Sequence, residues 1–79
     1  MRIDLHGQHI HTAWQYFNRQ VTAAYYSGHK KCHVITGQGA MMQELNIWAD
    51  NHPHIRECIQ NPKNPGSFSI KLQKKRLTS

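Results

Sequence analysis

The residues best suited to chemistry stand in two short stretches, Asp4-Leu5-His6-Gly7 and Thr36-Gly37-Gln38-Gly39. An imidazole whose ordinary pKa is about 6.5 serves as a general base or acid at neutral pH. Asp4 precedes His6 by two residues, and alternate residues of a strand point to one side, so the carboxylate could orient or charge-stabilise the ring. The same spacing equally suits a carboxylate that accepts backbone N–H bonds and caps the loop, with His6 at the entrance to a helix. In the second stretch the glycines allow close backbone approach, the N–H groups opening the following helix can receive a phosphate, and Thr36 adds a hydroxyl donor. A Gly-x-Gly sequence also serves as an ordinary tight turn.

Both stretches need strands behind them and helices ahead. Ile3 to Leu5 alternates apolar and polar residues, and Gly7 releases the backbone from strand geometry. From Ile10 the apolar positions Ala13, Trp14, Phe17, Val21, Ala24 and Tyr25 follow at steps of three and four, tracing one helical stripe that ends at Gly28. "KCHVI", Lys31 to Ile35, reads as a buried strand leading into Thr36. Met41, Leu45, Trp48, Ala49 and His52 form a second helical stripe, ended by Pro53. "IRECIQ" and "SFSIKL" read as strands flanking the turn-rich "NPKNPG".

The order is βαβαββ. Alternation of strand and helix implies parallel strands joined by right-handed crossovers. The expected architecture is an α/β two-layer sandwich, a four-stranded mixed sheet with both helices packed on one face. If the first two strands are parallel neighbours, Asp4–Gly7 and Thr36–Gly39 emerge at the same carboxyl edge and face one cleft. The 79 residues suffice for a single domain, with its core at about 3–72 and a basic tail at 73–79.

Ten Lys and Arg against four Asp and Glu give a formal charge of +6, and seven histidines can add to it on acidification. A polyanionic partner follows, and nucleic acid fits best, because a basic domain gains affinity by displacing counterions from phosphates. No basic amphipathic helix, membrane span or signal-peptide pattern is present, so the expected setting is cytoplasmic, without a membrane partner. Lys30, Lys31, Lys63 and Arg19 are candidate phosphate contacts outside the cleft. Cys32 and Cys58 sit in strand-like runs and read as buried thiols of a reducing compartment. The histidines lack metal-ligand spacing, and no metal ligand is assigned. His9 stands where a helix cap would. Trp14, Phe17, Tyr25 and Trp48 lie on the apolar stripes and read as core, whereas Tyr16 and Tyr26 lie off them and suit stacking on an unpaired base.

Taken in order, "IDLHG", "TGQG", "WADNHP" and "NPGSFSIKL" resemble the Smr domain, the small MutS-related module, from about Ile3 to Leu72. The resemblance implies a fold similar to the C-terminal domain of bacterial translation initiation factor three. It also implies nucleic-acid binding and, as in several members, DNA or RNA nicking. The family's Asp-x-His pair falls on Asp4 and His6, and its Gly-x-Gly loop on Gly37, Gln38 and Gly39. Two features depart from the family pattern. Met42 stands where many members carry arginine, and Asn64-Pro65-Gly66 replaces a terminal Gly-x-Gly; both bear on cleavage more than on binding. The expected function is therefore a nucleic-acid-binding domain, DNA- or RNA-directed. In its endonuclease form His6 moves a proton and Asp4 fixes the imidazole or recruits a divalent cation (Mg or Mn). Its alternatives are a non-catalytic binding module, or a protein-interaction domain, with a protein partner, in a repair or ribosome-associated protein. A monomer is expected.

Overall fold

The computed structural model describes residues 1–37 and 39–74; Gln38 and residues 75–79, including most of the basic tail, lie outside the described residues. The elements run β1 (Arg2–Asp4), α1 (Ile10–Tyr26), β2 (Lys31–Ile35), α2 (Ala40–Asp50), β3 (Ile55–Gln60) and β4 (Ser67–Leu72). The sheet order is β1-β2-β4-β3, with β1 and β2 parallel and β4 antiparallel to both of its neighbours. This is the expected mixed four-stranded sheet.

Alternation along the strands separates two faces. Ile3, Cys32, Val34, Phe68, Ile70 and Leu72 point into a single core, where they meet Ala13, Phe17, Val21 and Ala24 of α1 and Met41, Leu45 and Ala49 of α2. Both helices therefore cover one face. The outer face carries Arg2, Lys31, His33, Ser69 and Glu57, all exposed. A Glu57–Lys71 ion pair of 3.4 Å spans β3 and β4 there, and Ser67 Oγ lies 3.0 Å from His33 Nε2.

The stripe on α1 is narrower than its sequence suggests: Ile10 and Trp14 are each 43% exposed, so Trp14 is not core. The inward space beside it is taken by Phe17, whose ring lies 5.9 Å from that of Trp48. Tyr16, expected to be free for stacking, packs against the core instead. At the end of α1 the N–H groups of Gly28 and His29 donate to the carbonyls of Tyr25 and Ala24, a Schellman closure that turns the chain toward β2. His9 occupies the N-cap of α1 without a side-chain cap bond. Cys32 and Cys58 both pair with Ile70, from opposite sides of β4. Burial pushes both thiols up, Cys58 to about 11. Among the described residues no helix is long and apolar enough to cross a membrane.

Candidate functional site

Parallel pairing of β1 with β2 brings the two glycine-bearing strand ends together. Asp4 pairs with Ile35, and the Leu5 N–H donates to the Ile35 carbonyl at 2.7 Å. The chain then turns tightly. Asp4 Oδ1 accepts the His6 N–H at 3.0 Å, the Leu5 carbonyl accepts the Gln8 N–H at 3.2 Å, and the Asp4 carbonyl accepts Gln8 Nε2 at 3.3 Å. The Asp4 carboxylate thus holds the turn that carries His6, and it bonds to the His6 backbone rather than to the imidazole.

The loop after β2 is fixed by Gly66, the glycine of the Asn64-Pro65-Gly66 turn, whose part in holding that loop the sequence pattern does not give. The buried Gly66 carbonyl accepts from the Thr36 N–H (2.8 Å), the Gly37 N–H (3.2 Å) and Thr36 Oγ1 (3.2 Å). A Cβ on Gly66 would stand 2.7 Å from the Gly37 carbonyl carbon, so only glycine lets the two backbones approach this closely. The turn before β4 presses Gly66 into place: Asn64 Oδ1 accepts its N–H at 3.2 Å and the Asn64 carbonyl accepts the Ser67 N–H at 2.9 Å. Gly37 has φ +72°, and a Cβ there would lie 3.1 Å from His6 Cδ2, which places the imidazole directly over the Gly-x-Gly loop.

These pieces enclose a cleft of about 380 Å³ lined by His6, Gly7, Gln8, Thr36, Gly37, Gly39, Ala40 and Met41, among others. His6, Gly7, Gly39 and Ala40 are exposed at its mouth. Two expected donors are committed elsewhere. The Thr36 hydroxyl is buried and also donates to the Gly37 carbonyl at 2.8 Å, and the Gly37 N–H is taken by Gly66. The opening N–H groups of α2 have no carbonyl of their own helix to donate to, and they carry the positive end of its dipole.

The candidate cations divide between the two ends of the sheet. Lys63 lies in the loop between β3 and β4, at the same end as Thr36, and its N–H donates to Asn61 Oδ1 at 2.9 Å. Lys30 precedes β2 and Lys31 opens it, at the opposite end, with Lys31 roughly 16 Å from Thr36 at the usual rise of a strand. Arg19 lines a shallow groove on the outer side of α1 with Trp14, Asn18 and Thr22. Gln38 lies outside the described residues. Among those described, no group of three His, Cys, Asp or Glu side chains is placed to hold a metal ion. Asp4 has one carboxylate oxygen committed to the His6 N–H, a poor start for a magnesium or manganese site.

A two-layer α/β domain, with a histidine-bearing turn closed against a Gly-x-Gly loop, is the class these features define. The sequence matches the family described as the Smr domain over residues 3–72, and the chain belongs to that family, whose members are in general nucleic-acid-binding and nuclease-related. The fold is similar to the crystal structure of the Smr domain of Thermus thermophilus MutS2, with a TM-score of 0.85 and 16% identity, over 91% of this chain and 96% of that one. No curated protein gives a significant match.

Proposed function

We propose that this domain binds nucleic acid, DNA or RNA, with a backbone phosphate seated in the cleft between the His6 turn and the start of α2. The observation that carries the reading is the placement of the His6 ring beside Gly37 on the walls of one cleft, which joins the two candidate stretches into one mouth. The phosphate meets the N–H groups of Gly39, Ala40 and Met41, and His6 closes over it from the turn. Thr36 and Gly37 contribute shape, since their own donors hold the loop; Gln38 joins them by its place in the sequence. Lys63 adds charge beside the mouth, while Lys30, Lys31 and Arg19 reach phosphates farther along the polyanion. Free, protonated thiols accord with a reducing cytoplasmic setting.

Phosphodiester cleavage is the second reading, favoured by the exposure of the His6 imidazole at the mouth. There His6 takes a proton from the attacking oxygen or gives one to the leaving oxygen, and Asp4 acts as a positioning residue through the turn. Incubation of the domain with supercoiled plasmid and with structured RNA, beside the His6→Ala variant, separates the readings. Nicking by the parent and not by the variant establishes cleavage at His6, and binding without nicking leaves the phosphate site alone. Absence of any salt-sensitive binding overturns both.

A further inference from the structure

The end of the sheet opposite the cleft holds rings and cations that the cleft does not use. Tyr25, from the last turn of α1, stacks on His54, just before β3, with centroids 4.0 Å apart and planes 10° from parallel. Tyr26 meets both edge-on, at 5.2 Å and 81° to Tyr25 and at 5.6 Å and 75° to His54, while remaining 59% exposed. The backbone ties this cluster to the ends of the sheet: the His54 carbonyl accepts the Gln73 N–H at 2.8 Å and the Lys30 carbonyl accepts the Leu72 N–H at 2.9 Å. Exposed Arg2, Lys30, Lys31, Arg56 and Lys74 all belong to this end, whereas Lys63 is the cation that the loops of the cleft end contribute among the described residues. Glu57 at this end is already paired with Lys71.

An exposed aromatic ring that packs against two others, within a field of cations, suits a π-face ligand on an anionic backbone. We infer that this end is a second contact site, a stacking platform on which Tyr26, braced by Tyr25 and His54, receives an unpaired base of single-stranded nucleic acid. Lys30, Lys31 and Lys74 hold the flanking phosphates. A duplex keeps its base faces stacked against one another and offers the platform only phosphates, so the platform selects single strand over duplex. The seventeen-residue α1 spans about 24 Å, so a strand held at both ends lies along the domain rather than across it. The inference rests on the nucleic-acid reading above and adds the kind of strand it takes.

Fluorescence anisotropy with a labelled oligothymidine and with a hairpin duplex, for the parent, Tyr26→Leu and Tyr26→Trp, tests it, with thermal melts confirming that each variant is folded. Stacking on one aromatic side chain corresponds to an affinity loss of about tenfold. Tyr26→Leu is expected to weaken single-strand binding by about that factor and leave duplex binding unchanged, with Tyr26→Trp restoring the parent affinity. Single-strand affinity unaltered in Tyr26→Leu, or an equal loss for strand and duplex, overturns the platform while leaving the phosphate cleft standing. Failure of the parent to bind either probe overturns the platform together with the reading beneath it.

Discussion

Gly66 lies so close to the Gly37 backbone that it has no room for a side chain, and that contact decides where the Gly-x-Gly loop stands relative to His6. Gly66→Ala forces its new methyl against backbone, which cannot swing away as a side-chain tip does. We expect a loss of about 1–3 kcal/mol, read as a lower Tm, together with weaker phosphate binding. Asp4 permits a sharper test. If its task is to accept the His6 N–H at 3.0 Å, Asp4→Asn keeps the acceptor and the activity, whereas Asp4→Ala loosens the turn and lowers both binding and any nicking. Equal impairment of the two variants would show that the negative charge itself is required.

At the scale of elements, the exit from α2 is a pH-sensitive join. His52 Nδ1 accepts the His54 N–H at 3.2 Å, turning the chain into β3, and the Phe17 ring meets the His52 ring edge-on at 6.3 Å. Burial pushes the His52 pKa below its ordinary value and neighbouring His54 pushes it the same way, against a smaller pull from the backbone of Asn18. That backbone favours the charged ring without reaching hydrogen-bond geometry, for Nε2 is buried with no hydrogen-bond partner. With the folded pKa below the unfolded one, the unfolded chain holds the extra proton between the two. The stability associated with a neutral His52 is therefore present above about pH 6.5 and is lost as the pH falls through the folded value. Thermal melts from neutral to mildly acidic pH are expected to show a steeper decline for the parent than for His52→Asn, which keeps an acceptor for the His54 N–H and does not titrate. Parallel declines would contradict this assignment.

The elements themselves were legible because their patterns are local. Ala13, Phe17, Val21 and Ala24 on α1, and Met41, Leu45 and Ala49 on α2, repeat at helical spacing, and the alternating strands match their structural bounds at β2, β3 and β4. Trp14 misled because it flanks the stripe, and whether a flank is buried depends on what the neighbouring helix places beside it. The meeting of the Asp4–Gly7 turn with the Thr36–Gly39 loop followed from parallel pairing of β1 and β2. The part of Gly66 did not, since it comes from a turn almost thirty residues farther along, and only the insertion of β4 between β2 and β3 brings it to Gly37. Thr36 and Gly37 were legible as loop residues, but the partners that consume their donors were not.

Over the whole molecule, composition gave the number of cations and topology distributes them. Lys30 and Lys31 stand next to each other where β2 begins, yet the strand carries the chain away from them before it reaches the cleft. Neutralising both as Lys30→Gln with Lys31→Gln is expected to lower the slope of log K against log salt by roughly 1.4–1.8, the sum for two lost phosphate contacts, while phosphate-induced changes at the cleft persist. The sheet also keeps the thiols apart. Cys32 and Cys58 face Ile70 from two sides, so two strand spacings, about 9.5 Å, separate them, too far for a disulfide. Cys32 is buried as expected, whereas Cys58 is only half-buried; both should alkylate slowly in the folded protein at neutral pH and rapidly once it is unfolded, and rapid reaction of the folded protein would contradict their raised pKa values.

The central claim, that one cleft formed by the His6 turn and the opening of α2 seats a phosphate, is tested most directly by a nuclear magnetic resonance titration with a short oligonucleotide. The expected result is saturable, salt-sensitive movement of the His6 ring resonances together with the amides of Gly39, Ala40 and Met41. Binding that leaves those signals in place, and moves only residues elsewhere on the domain, would contradict it.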